Sequence, residues 1–127
     1  MLNFYDRFKW SIMALAQKPE IQVSLFPHGS YIGEEIILEY DEAVGANLEK
    51  INSNGLSSTQ LHAIKQLDQY ILDHCGNDFE DLWLNNENLT SKEWEIIRIL
   101  AKNIIEVMNW ELEVPKELYD HVIYTNK

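Results

Sequence analysis

The chain has 127 residues, 46% of them hydrophobic, with four Trp, six Tyr and four Phe, which suits a single acidic globular domain over 1–127 with one core. Its 10 Lys+Arg stand against 21 Asp+Glu, a formal charge of −11, and a field of that sign repels nucleic acid and anionic membrane surfaces while attracting basic proteins. One cysteine, Cys75, excludes an internal disulfide or multi-cysteine zinc site and fits a reducing compartment, the cytoplasm by default.

From Asn3 to about Gln17, Phe4, Tyr5, Phe8, Ile12, Leu15 and Ala16 fall on one stripe and predict an amphipathic helix that Pro19 ends. Arg7 and Lys9 ahead of WSIMALA imitate a signal peptide, but Asp6 and the helical spacing speak against one. In IQVSLF, Ile21, Val23 and Leu25 alternate with Gln22 and Ser24 as in a half-buried strand, and Pro27-His28-Gly29-Ser30 is a turn. In YIGEEIILEY, Ile36, Leu38 and Tyr40 alternate with Glu35, Ile37 and Glu39, so the two segments can pair as a small N-terminal β-hairpin.

Asp41 is placed to cap a short helix to about Asn52, followed by an Asn52-Ser53-Asn54-Gly55 turn. Ser57 and Gln60 form a capping box opening a helix to Cys75, with Leu61, Ile64, Leu67, Tyr70 and Ile71 on one face and Gly76 at its end. Asn77 to Leu89 reads as a short helical turn and loop carrying Phe79, Leu82, Trp83 and Leu84 among acids.

The most apolar helix comes next. Thr90 with Glu93 is a second capping box, and Trp94, Ile96, Ile97, Leu100, Ala101, Ile104, Ile105, Val107 and Met108 cover about half the circumference. Arg98, Lys102, Glu95, Glu106 and Asn103 take the polar side, from which Ile99 and Trp110 project as apolar exceptions. So broad an arc needs at least two neighbours. The expected fold is therefore mainly α, with an α+β element if the hairpin forms: a compact helical bundle around a central helix at 91–110. Glu111 to Val114 is expected to be extended, and Lys116 to Tyr124 to form a last short helix. No segment reaches the roughly 18 apolar residues of a membrane span.

The acids are unevenly placed. Gly33 to Glu49 holds Glu34, Glu35, Glu39, Asp41, Glu42 and Glu49 with no Lys or Arg, and Asn77 to Leu89 holds Asp78, Glu80, Asp81 and Glu87, again with none. Crowded like charges repel, so these blocks suit presentation to a basic partner; the alternative is a solvated face without consequence. Within them Tyr40 and Trp83 are the aromatic anchors for a partner, with core packing as the competing role of Trp83.

Chemistry has little support. Asp73, His74 and Cys75 are adjacent and point about 100° apart on a helix, which does not chelate one metal ion. His74 suits a structural or helix-end role, and Cys75 suits a small core residue because no cation nearby would activate it. Neither His28 nor His121 has a nucleophile in a G-x-S-x-G setting, and no glycine-rich phosphate loop occurs. The reading from composition is a non-enzyme with no cofactor and no metal.

The span SLFPHGSYIGEEIILEYDEA, through Phe26-Pro27, Gly33-Glu34-Glu35, Ile37-Leu38 and Tyr40-Asp41, resembles a pattern in immunity proteins of bacterial contact-dependent growth inhibition systems. There a short helix leads to Phe-Pro, a turn and an acidic-apolar segment ending in Tyr/Phe-Asp. The resemblance implies a single-domain cytoplasmic antidote that binds the C-terminal toxin domain of a cognate effector, commonly a nuclease. It transfers no binding motif, so the expected contacts come from charge alone: Glu34, Glu35, Glu39, Tyr40, Asp41 and Glu42, and Asp78, Glu80, Asp81, Trp83 and Glu87. The alternative is an acidic regulatory or adaptor protein that binds a basic partner, or self-associates through Ile99 and Trp110.

Overall fold

The structure is a computed structural model that describes residues 4–44 and 55–116. Among these residues it is mainly helical and contains no strand, with six α-helices: α1 (Phe4–Ala16), α2 (Pro19–Ser24), α3 (Ile32–Ala43), α4 (Ser58–Asp73), α5 (Glu80–Leu84) and α6 (Lys92–Val107). Short 3-10 turns at Asn77–Phe79 and Asn86–Thr90 flank α5. The segment expected to continue from Asp41 to Asn52 lies largely outside the described residues, as does the helix expected from Lys116 to Tyr124.

Helix α6 is central, as its wide apolar arc requires. It packs against α1 on one side and α4 on another, while α1 also packs on α3. Trp94, Ile97, Ala101, Ile104 and Ile105 of α6 are buried with Phe8, Ile12 and Leu15 of α1, Ile64, Leu67 and Ile71 of α4, and Ile32, Ile36 and Tyr40 of α3. The α6 cap is one residue later than expected: Ser91 Oγ accepts the Trp94 N–H at 3.2 Å, and the Thr90 hydroxyl instead donates to Glu87 O. The capping box on α4 forms as read, and the Gln60 side chain additionally donates to Val107 O, so the start of α4 is tied to the end of α6.

The expected N-terminal hairpin does not form, because both of its strands are helices. Pro19, expected only to stop α1, occupies the first turn of α2, where its missing N–H costs no hydrogen bond. In α2 Gln22 is buried, as are Leu25 and Phe26 just past its end, at spacings of three and four residues, while Val23 is exposed. In α3, Ile32, Ile36, Tyr40 and Ala43 recur every three or four residues and are buried, and Leu38, which the alternation placed with them, is 50% exposed. Asp41 lies inside α3, near its C-terminal end.

Arg98 was expected on the polar side of α6 but is only 4% exposed. Its Nε donates to Gln17 O at 2.7 Å, and its Nη2 donates to Gln22 Oε1 at 2.9 Å and to Leu89 O. Glu95 Oε1 lies 3.6 Å from Nη1, and the guanidinium sits 5.8 Å from the Trp94 ring centroid. Burial lowers the Arg98 pKa, against the raising influence of Glu95. Gln22, held in turn by its bond to Ala14 O, completes a buried polar network joining α1, α2, α6 and the turn before α6.

Beyond α6, Asn109 takes a left-handed conformation (φ 61°) and the Trp110 N–H bonds to Ile105 O, which turns the chain into an extended strap to residue 116. Trp10 Nε1 donates to Lys116 O and Gln17 Nε2 to Glu113 O, fastening the strap along α1. Trp110 meets Phe8 edge-on at 5.8 Å with Lys9 over its ring. It therefore serves this strap, and of the two apolar exceptions on α6 only Ile99 is exposed.

Helix α3 crosses α5 at Gly33. A β-carbon there would lie 2.8 Å from Trp83 O and 3.2 Å from the Trp94 ring. Because the obstacle is backbone, Gly33→Ala is expected to cost about 1–3 kcal/mol, read as a lower melting temperature in calorimetry; an unchanged value would mean that the crossing is loose.

Candidate functional site

The two acidic blocks, whose groove residues Glu34 and Glu80 are 46 positions apart in the chain, meet at this crossing. Asn86 clamps it from the turn after α5: its Oδ1 accepts the Ile32 N–H at 2.8 Å and its Nδ2 donates to Ser30 O at 2.9 Å. Between α3 and α5 runs a groove of about 330 Å³ lined by Glu34, Ile37, Leu38, Cys75, Gly76, Glu80, Trp83 and Leu84. Leu38 at 50% and Leu84 at 39% exposure give it an apolar surface, and Glu34 and Glu80 bring one carboxylate from each block. Gly76, with φ 109°, lies three residues past the end of α4 at Asp73 and turns the chain toward α5 at the edge of the groove.

Helix periodicity divides the acids of α3. Asp41 follows Ile37 by four residues and Leu38 by three, so with Glu34 it belongs to the groove side. On the other side run Glu35, Glu39 and Glu42. The local sequence gave these no counterion, yet Arg7 of α1 pairs with Glu39 at 2.8 Å and with Glu42; Glu39, Glu42 and Arg7 thus lock α1 to α3. The Arg7 pKa is raised, chiefly by its hydrogen bond to Glu39.

In the second block Asp78, Glu80, Asp81 and Glu87 are all exposed. Asp81 accepts a 2.8 Å hydrogen bond from Asn88, which steadies the turn. None of Glu34, Glu35, Asp41, Asp78, Glu80, Asp81 or Glu87 makes an ion pair with another described residue. Glu34, Glu35, Glu80 and Asp81 lie in the first turns of their helices, where the macrodipole offsets part of their repulsion.

The two aromatic anchors separate. Tyr40 is 1% exposed and its hydroxyl donates to Asp68 Oδ1 at 2.8 Å, which joins α3 to α4; it is a core residue and does not reach a partner. Trp83 is half-buried: its Nε1 donates to His74 O at 2.9 Å, Trp94 meets it at 5.7 Å and 77°, and it still lines the groove. Both of its expected roles, packing and presentation, are thus physically compatible.

Burial holds the Tyr40 pKa well above the ordinary phenol value of 10, with Asp68 adding to the effect. Since the folded state retains this proton and the unfolded state releases it, stability is fully present below pH 10 and falls above it. The expected slope is about 1.4 kcal/mol per pH unit. Denaturant titrations from pH 9 to 11 should show this loss in the wild type and a reduced loss in Tyr40→Phe; identical slopes would remove Tyr40 as its source.

His74 stacks on Tyr70 at 4.1 Å and lies 5.0 Å from Phe79, with Nδ1 2.8 Å from Tyr70 O, all of it structural. Cys75, expected in the core, is instead exposed at the groove. Desolvation raises its pKa, and Asp41 and Asp68 raise it further, so its thiol stays protonated and poorly nucleophilic at neutral pH. Among the described residues no three His, Cys, Asp or Glu side chains converge to hold a metal ion, and no helix is long and apolar enough to cross a membrane. The charge pattern could not anticipate Ile37, Leu38, Leu84 and Cys75 as lining residues; their signal was apolar side chains off the buried arc of an acidic helix. No family model, curated protein or solved structure matches the chain.

Proposed function

We propose that this protein acts by binding, and that its α3–α5 face neutralises a basic protein domain by covering it. The observation that carries the reading is the convergence of two sequence-distant acidic blocks on one apolar groove, which Glu34 and Glu80 line from opposite helices without an ion pair to any described cation. Isolated surface acids are solvated and inconsequential; acids gathered around exposed Leu38 and Leu84 combine the two ingredients of an interface, steering charge and desolvating apolar area. The resemblance of the 24–43 span to immunity proteins makes the partner a cognate toxin domain, commonly a nuclease, whose phosphate-binding cations would receive these carboxylates.

In this reading carboxylates take the place of substrate phosphates, charge sets the association rate, and the apolar groove sets the dissociation rate. The encounter is placed in the cytoplasm, where a single exposed thiol such as Cys75 stays reduced. Co-expression with the C-terminal toxin domain of a candidate cognate effector tests the proposal through growth protection and affinity capture. Protection with a stable complex is expected; growth arrest with no complex would overturn it.

A further inference from the structure

We propose that the groove between α3 and α5 receives one arginine side chain of the partner, carried in an aliphatic segment. This rests on the binding reading above and specifies the anchor. The lining is of two kinds. Ile37, Leu38, Leu84 and the Trp83 ring supply apolar surface, while Glu34 and Glu80 bring carboxylates from opposite helices. A purely apolar plug would desolvate those carboxylates without a counterion. A lysine would press a compact, strongly hydrated ammonium against the leucines. A guanidinium is planar and weakly hydrated, can serve two carboxylates through separate N–H groups, and stacks on an indole.

The dimensions agree. A space of about 330 Å³ lies at the bottom of the roughly 300–1,000 Å³ range of small-molecule sites, which suits one long side chain and its neighbours. The methylene stem of arginine matches Leu38 and Leu84. Trp83 is set in place beforehand: its N–H is held by His74 O, Trp94 abuts its ring, and its backbone presses on Gly33. A receptor that is already ordered loses little entropy on binding.

The test uses the full chain, isotopically labelled for NMR, titrated with acetyl-leucyl-arginyl-leucinamide and with its lysine and citrulline counterparts. Citrulline keeps the shape of arginine and removes the charge. The arginine peptide is expected to shift the Trp83 indole and the Cys75 and Leu84 amides saturably, binding about fivefold tighter than the lysine peptide and about tenfold tighter than the citrulline one. Glu34→Gln combined with Glu80→Gln should weaken the arginine peptide about tenfold and leave the citrulline peptide unchanged. Equal binding of the three peptides, or no shifts at the groove, would overturn the proposal. Growth protection without arginine selectivity would remove the anchor and leave the partner reading standing; arginine selectivity without growth protection would do the reverse.

Discussion

Arg98→Ala is expected to lower stability by about 3–5 kcal/mol and the melting temperature by roughly 10–20 °C. The guanidinium is the shared donor for Gln17 O, Leu89 O and Gln22 Oε1, and truncation leaves these buried acceptors without a partner as well as opening a cavity. Arg98→Met fills the volume and removes the charge, a change that some buried ion pairs tolerate. Here two of the acceptors are backbone carbonyls that cannot be substituted away, so Arg98→Met should remain destabilising by more than about 2 kcal/mol. Arg98→Lys, which keeps the charge but not the fork, should fall between wild type and Arg98→Ala. Calorimetry on the three variants checks the order, and a wild-type melting temperature for Arg98→Met would show that the network does not hold the helices together.

The second large effect concerns association. Reversing Glu34, Asp41 and Glu80 to Lys in one chain changes the net charge by +6, from −11 to −5, and does so beside the groove. Association with the basic partner should slow by about 10–10³-fold at low salt, with the difference shrinking as salt rises. Reversal of Glu20, Glu106 and Glu111 changes net charge equally but lies elsewhere; Glu106 is near the end of α6, which Gln60 ties to the opposite end of α4 from Cys75. That control should slow association by a small part of the amount. Equal slowing would mean that total charge steers the encounter and the groove does not. Glu39 and Glu42 are left intact because Arg7 uses them within the fold.

Much of this architecture could be read from the residues, and the failures have physical causes. The wide arc of α6 and the Ser57/Gln60 box on α4 required helices with neighbours on both sides, and both are found. The hairpin failed because Ile36 and Tyr40 satisfy a period of two as well as a spacing of four; the deciding observations are the twelve-residue length of α3 and its load of Glu, which strands disfavour. Ile21 to Phe26 failed because the buried polar residue was Gln22, which an apolar pattern cannot flag and which Arg98 explains only once α2 and α6 touch. For the site, the unequal distribution of acids was legible in the sequence. That Glu39 and Glu42 are neutralised from α1, that Tyr40 is buried on Asp68, and that Leu38 and Leu84 lie between the blocks are consequences of tertiary packing.

The central claim, that the α3–α5 groove is where the partner sits, can be tested through Cys75, the chain's one cysteine and part of the groove lining. Its raised pKa makes reaction slow at neutral pH, so the alkylation rate is best measured near pH 9 on the free protein and on the purified complex with the toxin domain. Occupation of the groove predicts at least about tenfold slower alkylation in the complex, as expected when opening limits access to a covered group. Alkylation of a stable complex at the rate of the free protein would contradict it.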